Sequence, residues 1–65
     1  MKIRYFEDTD TLFIELKPGH VAETRDLDED TLLDLDVHGQ VLTITLEHAA
    51  ARAELSSFSF DRVAA

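Results

Sequence analysis

Leu32-Leu33-Asp34-Leu35-Asp36-Val37-His38-Gly39-Gln40-Val41-Leu42-Thr43-Ile44-Thr45-Leu46 is the stretch on which the fold turns. Leu33, Leu35 and Val37 alternate with Leu32, Asp34 and Asp36, and Leu42, Ile44 and Leu46 alternate with Val41, Thr43 and Thr45. A period of two, in aliphatic and β-branched residues, is the signature of strands. His38-Gly39 between the runs suits a two-residue hairpin turn, in which positive φ favours Gly and is tolerated by His. That loop pairs Val37 with Gln40, Leu35 with Leu42 and Leu33 with Ile44 on one face. On the other it pairs Asp36 with Val41, Asp34 with Thr43 and Leu32 with Thr45. A slip of one residue would set aspartates against aliphatic side chains, so pattern and turn select the same register.

The preceding segments extend this reading. Ile3 and Tyr5 alternate with Lys2, Arg4 and Phe6, and Leu12, Ile14 and Leu16 alternate with Phe13 and Glu15. The polar loop Glu7 to Thr11 joins them, and Lys17-Pro18-Gly19 ends the pair with a turn signal. Val21 to Arg25 is a weaker strand, and Asp26-Leu27-Asp28-Glu29-Asp30 reads as a solvated loop. Glu47 to Leu55 contains four alanines and other helix formers, which predicts a short helix with Ala49 and Ala53 against the sheet. The expected fold is therefore α+β: a four- to five-stranded, mainly antiparallel sheet with one short C-terminal helix packed on a face. Residues 1–55 form one small domain, and 56–65 form a tail carrying Phe58-Ser59-Phe60 as a short strand or an anchored arm.

The order of these segments carries a resemblance. Met-Lys-Ile-Arg-Tyr at 1–5, the acidic loop leading into Asp10-Thr11-Leu12-Phe13-Ile14, Val21-Ala22-Glu23-Thr24, and the hairpin from Leu35-Asp36 through Gly39 to Val41 look like the small prokaryotic domain-of-unknown-function family 2283. The resemblance spans roughly residues 1–50 and rests on these segments in combination. It implies no catalytic residues. What it does imply is an antitoxin-like partner role, since some such domains are encoded beside small toxin-like proteins. The alanine-rich segment and the Phe-Ser-Phe tail depart from the family's short form.

Composition narrows the chemistry. The 65-residue chain has no cysteine, 45% hydrophobic and 31% charged residues, and a formal net charge of −8. The absence of cysteine removes disulfides, thiolate metal sites and cysteine catalysis, and it suits a cytoplasmic compartment. No apolar run is long enough to cross a membrane as a helix, and residues 1–5 show no signal-peptide block. Six Lys and Arg against 14 Asp and Glu speak against direct nucleic-acid binding and for a basic protein partner, or for simple solubility.

No constellation identifies an activity. His20, His38 and His48 lack metal-ligand spacing. Asp34 and Asp36 share a strand face beside the acidic run 26–30, making them weak candidates for a cation site; a solvated acidic face is the simpler reading. Ser56, Ser57 and Ser59 have no nucleophile-elbow context, and the two glycines, Gly19 and Gly39, build no phosphate loop. The expectation is a non-enzymatic protein-interaction module without cofactor. The alternatives are a small cation- or ligand-binding domain using Asp26 to Asp36, or a purely structural homo-oligomer.

The candidate interaction surface follows from the nominally polar face. There Phe6, Phe13, Leu32 and Val41 point away from Ile3, Leu12, Leu33 and Ile44, and the tail adds Phe58 and Phe60. A contiguous patch of this kind is covered by the helix, the tail, a second copy or another protein. Without a disulfide or a recognisable metal site to supplement a small core, a homo-oligomer or one small basic partner is expected.

Overall fold

The structure, a computed structural model, describes residues 1–64. Five strands form in chain order: β1 (Lys2–Phe6), β2 (Thr11–Glu15), β3 (Glu23–Asp28), β4 (Thr31–Leu35) and β5 (Val41–Glu47). They make one antiparallel sheet in the order β1-β2-β5-β4-β3. β1 and β2 form one hairpin, β3 to β5 form a meander, and β5, the last strand made, joins the two by pairing with β2.

Directly paired residues in an antiparallel sheet project to the same side. The register places Ile3, Ile14, Ile44 and Leu33 in one row and Tyr5, Leu12, Leu46 and Thr31 in the next. These rows make an apolar face. On the opposite face Arg4, Phe13, Thr45, Leu32 and Asp26 form one row, and Lys2, Glu15, Thr43, Asp34 and Thr24 another. Alternation of aliphatic and polar residues along each strand thus becomes one apolar and one polar side of the sheet.

The central hairpin keeps its expected register from Leu32–Thr45 through Asp34–Thr43 and departs from it at the turn. Leu35 pairs with Val41, so Leu42 is an extra residue in β5 and the pairs Leu35–Leu42, Asp36–Val41 and Val37–Gln40 do not form. The loop has three residues, Val37-His38-Gly39. The Gly39 N–H donates to the Asp36 carbonyl (3.0 Å) and the Asp36 N–H to the Gln40 carbonyl (2.9 Å). Gly39 has φ +80°, and His38 is not left-handed. The longer loop is favoured because the Asp36 carboxylate accepts the backbone N–H of both His38 and Gln40 at 2.9 Å, an Asx-type turn. Val37 consequently stands in solvent, 80% exposed.

Two other expectations are corrected. The acidic run is a loop only at Glu29-Asp30, the turn into β4: Asp26, Leu27 and Asp28 continue β3, with Leu27 bulged out between Asp26 and Asp28. β3 is an edge strand, where charged side chains are well tolerated. Among the described residues there is also no helix packed on the sheet, so the fold is all-β rather than α+β. The alanine-rich segment makes a single 3-10 turn, Ala49–Ala51. Helix nucleation is costly for so short a segment, and alanines alone give no wide apolar stripe to bury. Asp10 docks the start of this turn, its carbonyl accepting the Ala49 N–H (3.0 Å) and its carboxylate the Ala50 N–H (2.9 Å). His48 enters the turn at φ +54°, a left-handed residue that an α-helix could not continue through.

The result is a thin molecule of 36 × 34 × 17 Å. Its radius of gyration is 13.0 Å, against about 10.7 Å expected for a compact domain of this length. Among the described residues, only Leu12, Leu35, Leu42 and Ala49 are buried hydrophobics. The β2–β3 loop covers Leu42 at one end through Gly19, and the 3-10 turn buries Ala49 at the other.

Candidate functional site

The apolar face is the feature that strand patterning builds most deliberately, and the chain covers it only in part: Leu12 and Thr31 are buried there, while Ile3 and Tyr5 stay 39% and 37% exposed. Beyond the 3-10 turn, Ala53 to Phe58 run over its β1–β2 half, leaving a cleft floored by Ile3, Tyr5, Leu12 and Ile14. Phe58 and Phe60 meet Met1 and Ile3 along the β1 border in a second, mainly apolar groove. Both phenylalanines remain open, 69% and 67% exposed, and Ile3 is 39% exposed. Neither forms a strand; the Phe-Ser-Phe tail is an irregular arm.

A latch holds the start of this arm. Asp10, in the β1–β2 turn at φ +53°, accepts the Tyr5 hydroxyl (2.6 Å) and the Ala50 N–H (2.9 Å) with one carboxylate oxygen. The Tyr5 hydrogen bond, then the backbone one, lowers the Asp10 pKa below the usual carboxylate range. The same bond raises the Tyr5 pKa. Arg52 adds a second tie, donating to the carbonyls of Asp30 (2.6 Å) and Glu47 (3.1 Å) and to the Thr31 hydroxyl. Neither Asp10 nor Arg52 stands out in the sequence. A left-handed Asp ahead of a strand is ordinary turn chemistry, and its reach to residue 50 is a tertiary fact.

The structure distributes the residues singled out from the sequence over three places. Phe13 and Leu32 flank Thr45 in one row of the polar face, half-buried, with the more exposed Phe6 on the same side of β1. Val41 sits at the bulge, half-buried and paired with Leu35. Phe58 and Phe60 lie with Met1 and Ile3 on the apolar side, apart from the others.

Asp34 and Asp36 are separated in role. Asp34 accepts hydroxyl bonds from Thr24 (2.6 Å) and Thr43. Asp36 closes the hairpin loop, and hydrogen bonds led by the Gln40 N–H lower its pKa. In the former acidic run, Asp28 accepts the Asp30 N–H (2.8 Å), the bond that contributes most to lowering its own pKa. Among the described residues, no three His, Asp or Glu side chains converge as a metal ion would require. His48 lies 3.6 Å from the Asp30 carboxylate; none of the histidines meets another. No helix of the described residues is long and apolar enough to cross a membrane.

Searches of curated proteins and of solved structures return no match. The model of a family described as a protein of unknown function, DUF2283, matches residues 2–49, covering all five strands and the first residue of the 3-10 turn, and the chain belongs to that family.

Proposed function

We propose that this domain is a non-enzymatic protein-interaction module that works by presenting its apolar sheet face to another polypeptide. One observation carries the reading: a single-layer sheet has an apolar face with no second layer over it. Layers of secondary structure become stable by burying such faces against one another, and here the chain supplies only an arm over one half. The carboxylates of Asp28, Asp34 and Asp36 are engaged by donors of their own chain, which draws weight from the cation-binding alternative.

A photocrosslinking residue introduced in the producing cell at position 3, on the apolar face, or at position 24, on the polar face, tests this. Polypeptide adducts from position 3 and not from position 24 are expected. An absence of polypeptide adducts at position 3 overturns the reading.

A further inference from the structure

We infer that the polypeptide covering the apolar face is a second copy of this chain, the two sheets packing face to face as the layers of one sandwich. This rests on the interaction reading above and names its partner. The first support is surface area. The chain exposes 5172 Å², whereas a compact monomer of its mass exposes about 4,200 Å². The surplus of about 1,000 Å² is shared between the extended arm and the open face. It matches the roughly 800 Å² that each partner contributes to a standard interface. A second layer of the same size as the first therefore accounts for the surface left uncovered.

The second support is charge. For a chain with a formal net charge of −8, self-association is least opposed through a surface poor in carboxylates. The polar face fails this condition, because two copies meeting there would bring together Glu15, Asp26 and Asp34 from each side. Across β1, β2, β5 and β4, the rows Ile3-Ile14-Ile44-Leu33 and Tyr5-Leu12-Leu46-Thr31 contain no charged side chain. A two-fold axis through these rows sets like on like, which apolar side chains accept and carboxylates do not. It leaves Glu15, Asp26 and Asp34 of both copies on the outside, while Glu23 and Asp28 of β3, which share the apolar side, lie at its edge beside Arg25 and Arg52. Phe58 and Phe60, at the β1 border of the same face, close the rim of the interface.

Sedimentation equilibrium on the full chain at micromolar concentration, with isotope-filtered NOE spectroscopy on mixed labelled and unlabelled protein, tests the inference. The expected mass is twice 7.3 kDa, with interprotomer NOEs among Ile14, Ile44 and Leu33. Ile3→Gln weakens the dimer about tenfold, the equivalent of about 1.4 kcal/mol. Arg4→Gln, one residue along on the opposite face, leaves it unchanged. A dimer whose NOEs join Phe13 and Leu32 instead overturns the inference. So does a monomer, and a paramagnetic cosolute then separates the two readings. Strong relaxation of the Ile14 and Ile44 methyls means the face is open to some other polypeptide, while protection of those methyls removes the interaction reading as well.

Discussion

Replacing Gly39 isolates backbone conformation from every other contribution. Gly39 stands at φ +80°, and a Cβ added there meets nothing within 4 Å. Any loss of stability is therefore conformational strain. An L-residue forced into the left-handed region costs roughly 1–2 kcal/mol, with Val at the upper end because it is β-branched. Asn visits this region readily, so Gly39→Asn should cost about half as much as Gly39→Ala. For a small domain with a urea dependence near 1 kcal/mol per molar, Gly39→Ala lowers the unfolding midpoint by about 1 M. The series Asn, Ala, Val should fall in that order, measured at one protein concentration because association adds to apparent stability. An unchanged midpoint for Val, or an Asn variant as unstable as Val, refutes the three-residue loop. Gly19→Ala provides a contrast of mechanism: its Cβ would lie 2.8 Å from Leu42 Cδ2, so its cost is overpacking, about 1–3 kcal/mol.

Asp10→Ala removes the acceptor of both the Tyr5 hydroxyl and the Ala50 N–H; a lower urea midpoint and faster amide exchange at residues 49–53 are expected, with Asn restoring part of each. Asp34→Ala leaves the Thr24 and Thr43 hydroxyls without their shared acceptor and should lower stability by about 1–2 kcal/mol, read from urea unfolding. Asp10, Asp28 and Asp36 all have lowered pKa values, so the unfolded chain binds their protons first. Their stabilisation is complete above the ordinary carboxylate pKa of about 3.9 and is lost as pH falls through the lower folded values. The melting temperature should therefore drop on acidification below about pH 4, and less so in a variant with all three changed to Asn. Ending the chain at Leu55 removes Phe58 and Phe60 and should weaken self-association measurably by sedimentation.

Strands declare themselves in sequence because their period-two pattern reflects which side each residue faces, and the faces of β1, β2, β4 and β5 followed directly from it except at Val41, which the bulge pairs with Leu35 on the apolar side instead of the polar one. The hairpin loop was less legible. Two-residue and three-residue loops differ by one unpaired residue, and the choice turned on an Asp36 carboxylate finding two N–H groups, which alternation does not encode. The acidic residues hid only the end of β3, Asp26 to Asp28, because an edge position lifts the penalty on charge there. Glu47 to Leu55 misled through propensity: alanine favours helix only when a segment has length and a docking stripe, and here the left-handed His48 interrupts the run. The apolar arm, Phe58 and Phe60, was visible as composition, but its place beside Met1 and Ile3 depends on the latch and not on local sequence.

The strand order also dictates a schedule for synthesis. The β1–β2 hairpin and the β3–β4 hairpin are both complete in sequence before β5 leaves the ribosome, yet they share no edge until β5 lies between them. Two-stranded hairpins alone are marginal in water, so the nascent chain stays uncommitted until Val41–Glu47 emerges. Insertion of β5 then joins both halves in one step, and its pairing with β2 closes the longest loop in the sheet. A chain stopped at Gln40 should remain unfolded, and slowing of folding by substitutions should concentrate in the β2–β5 seam, at Leu12, Ile14, Ile44 and Leu46.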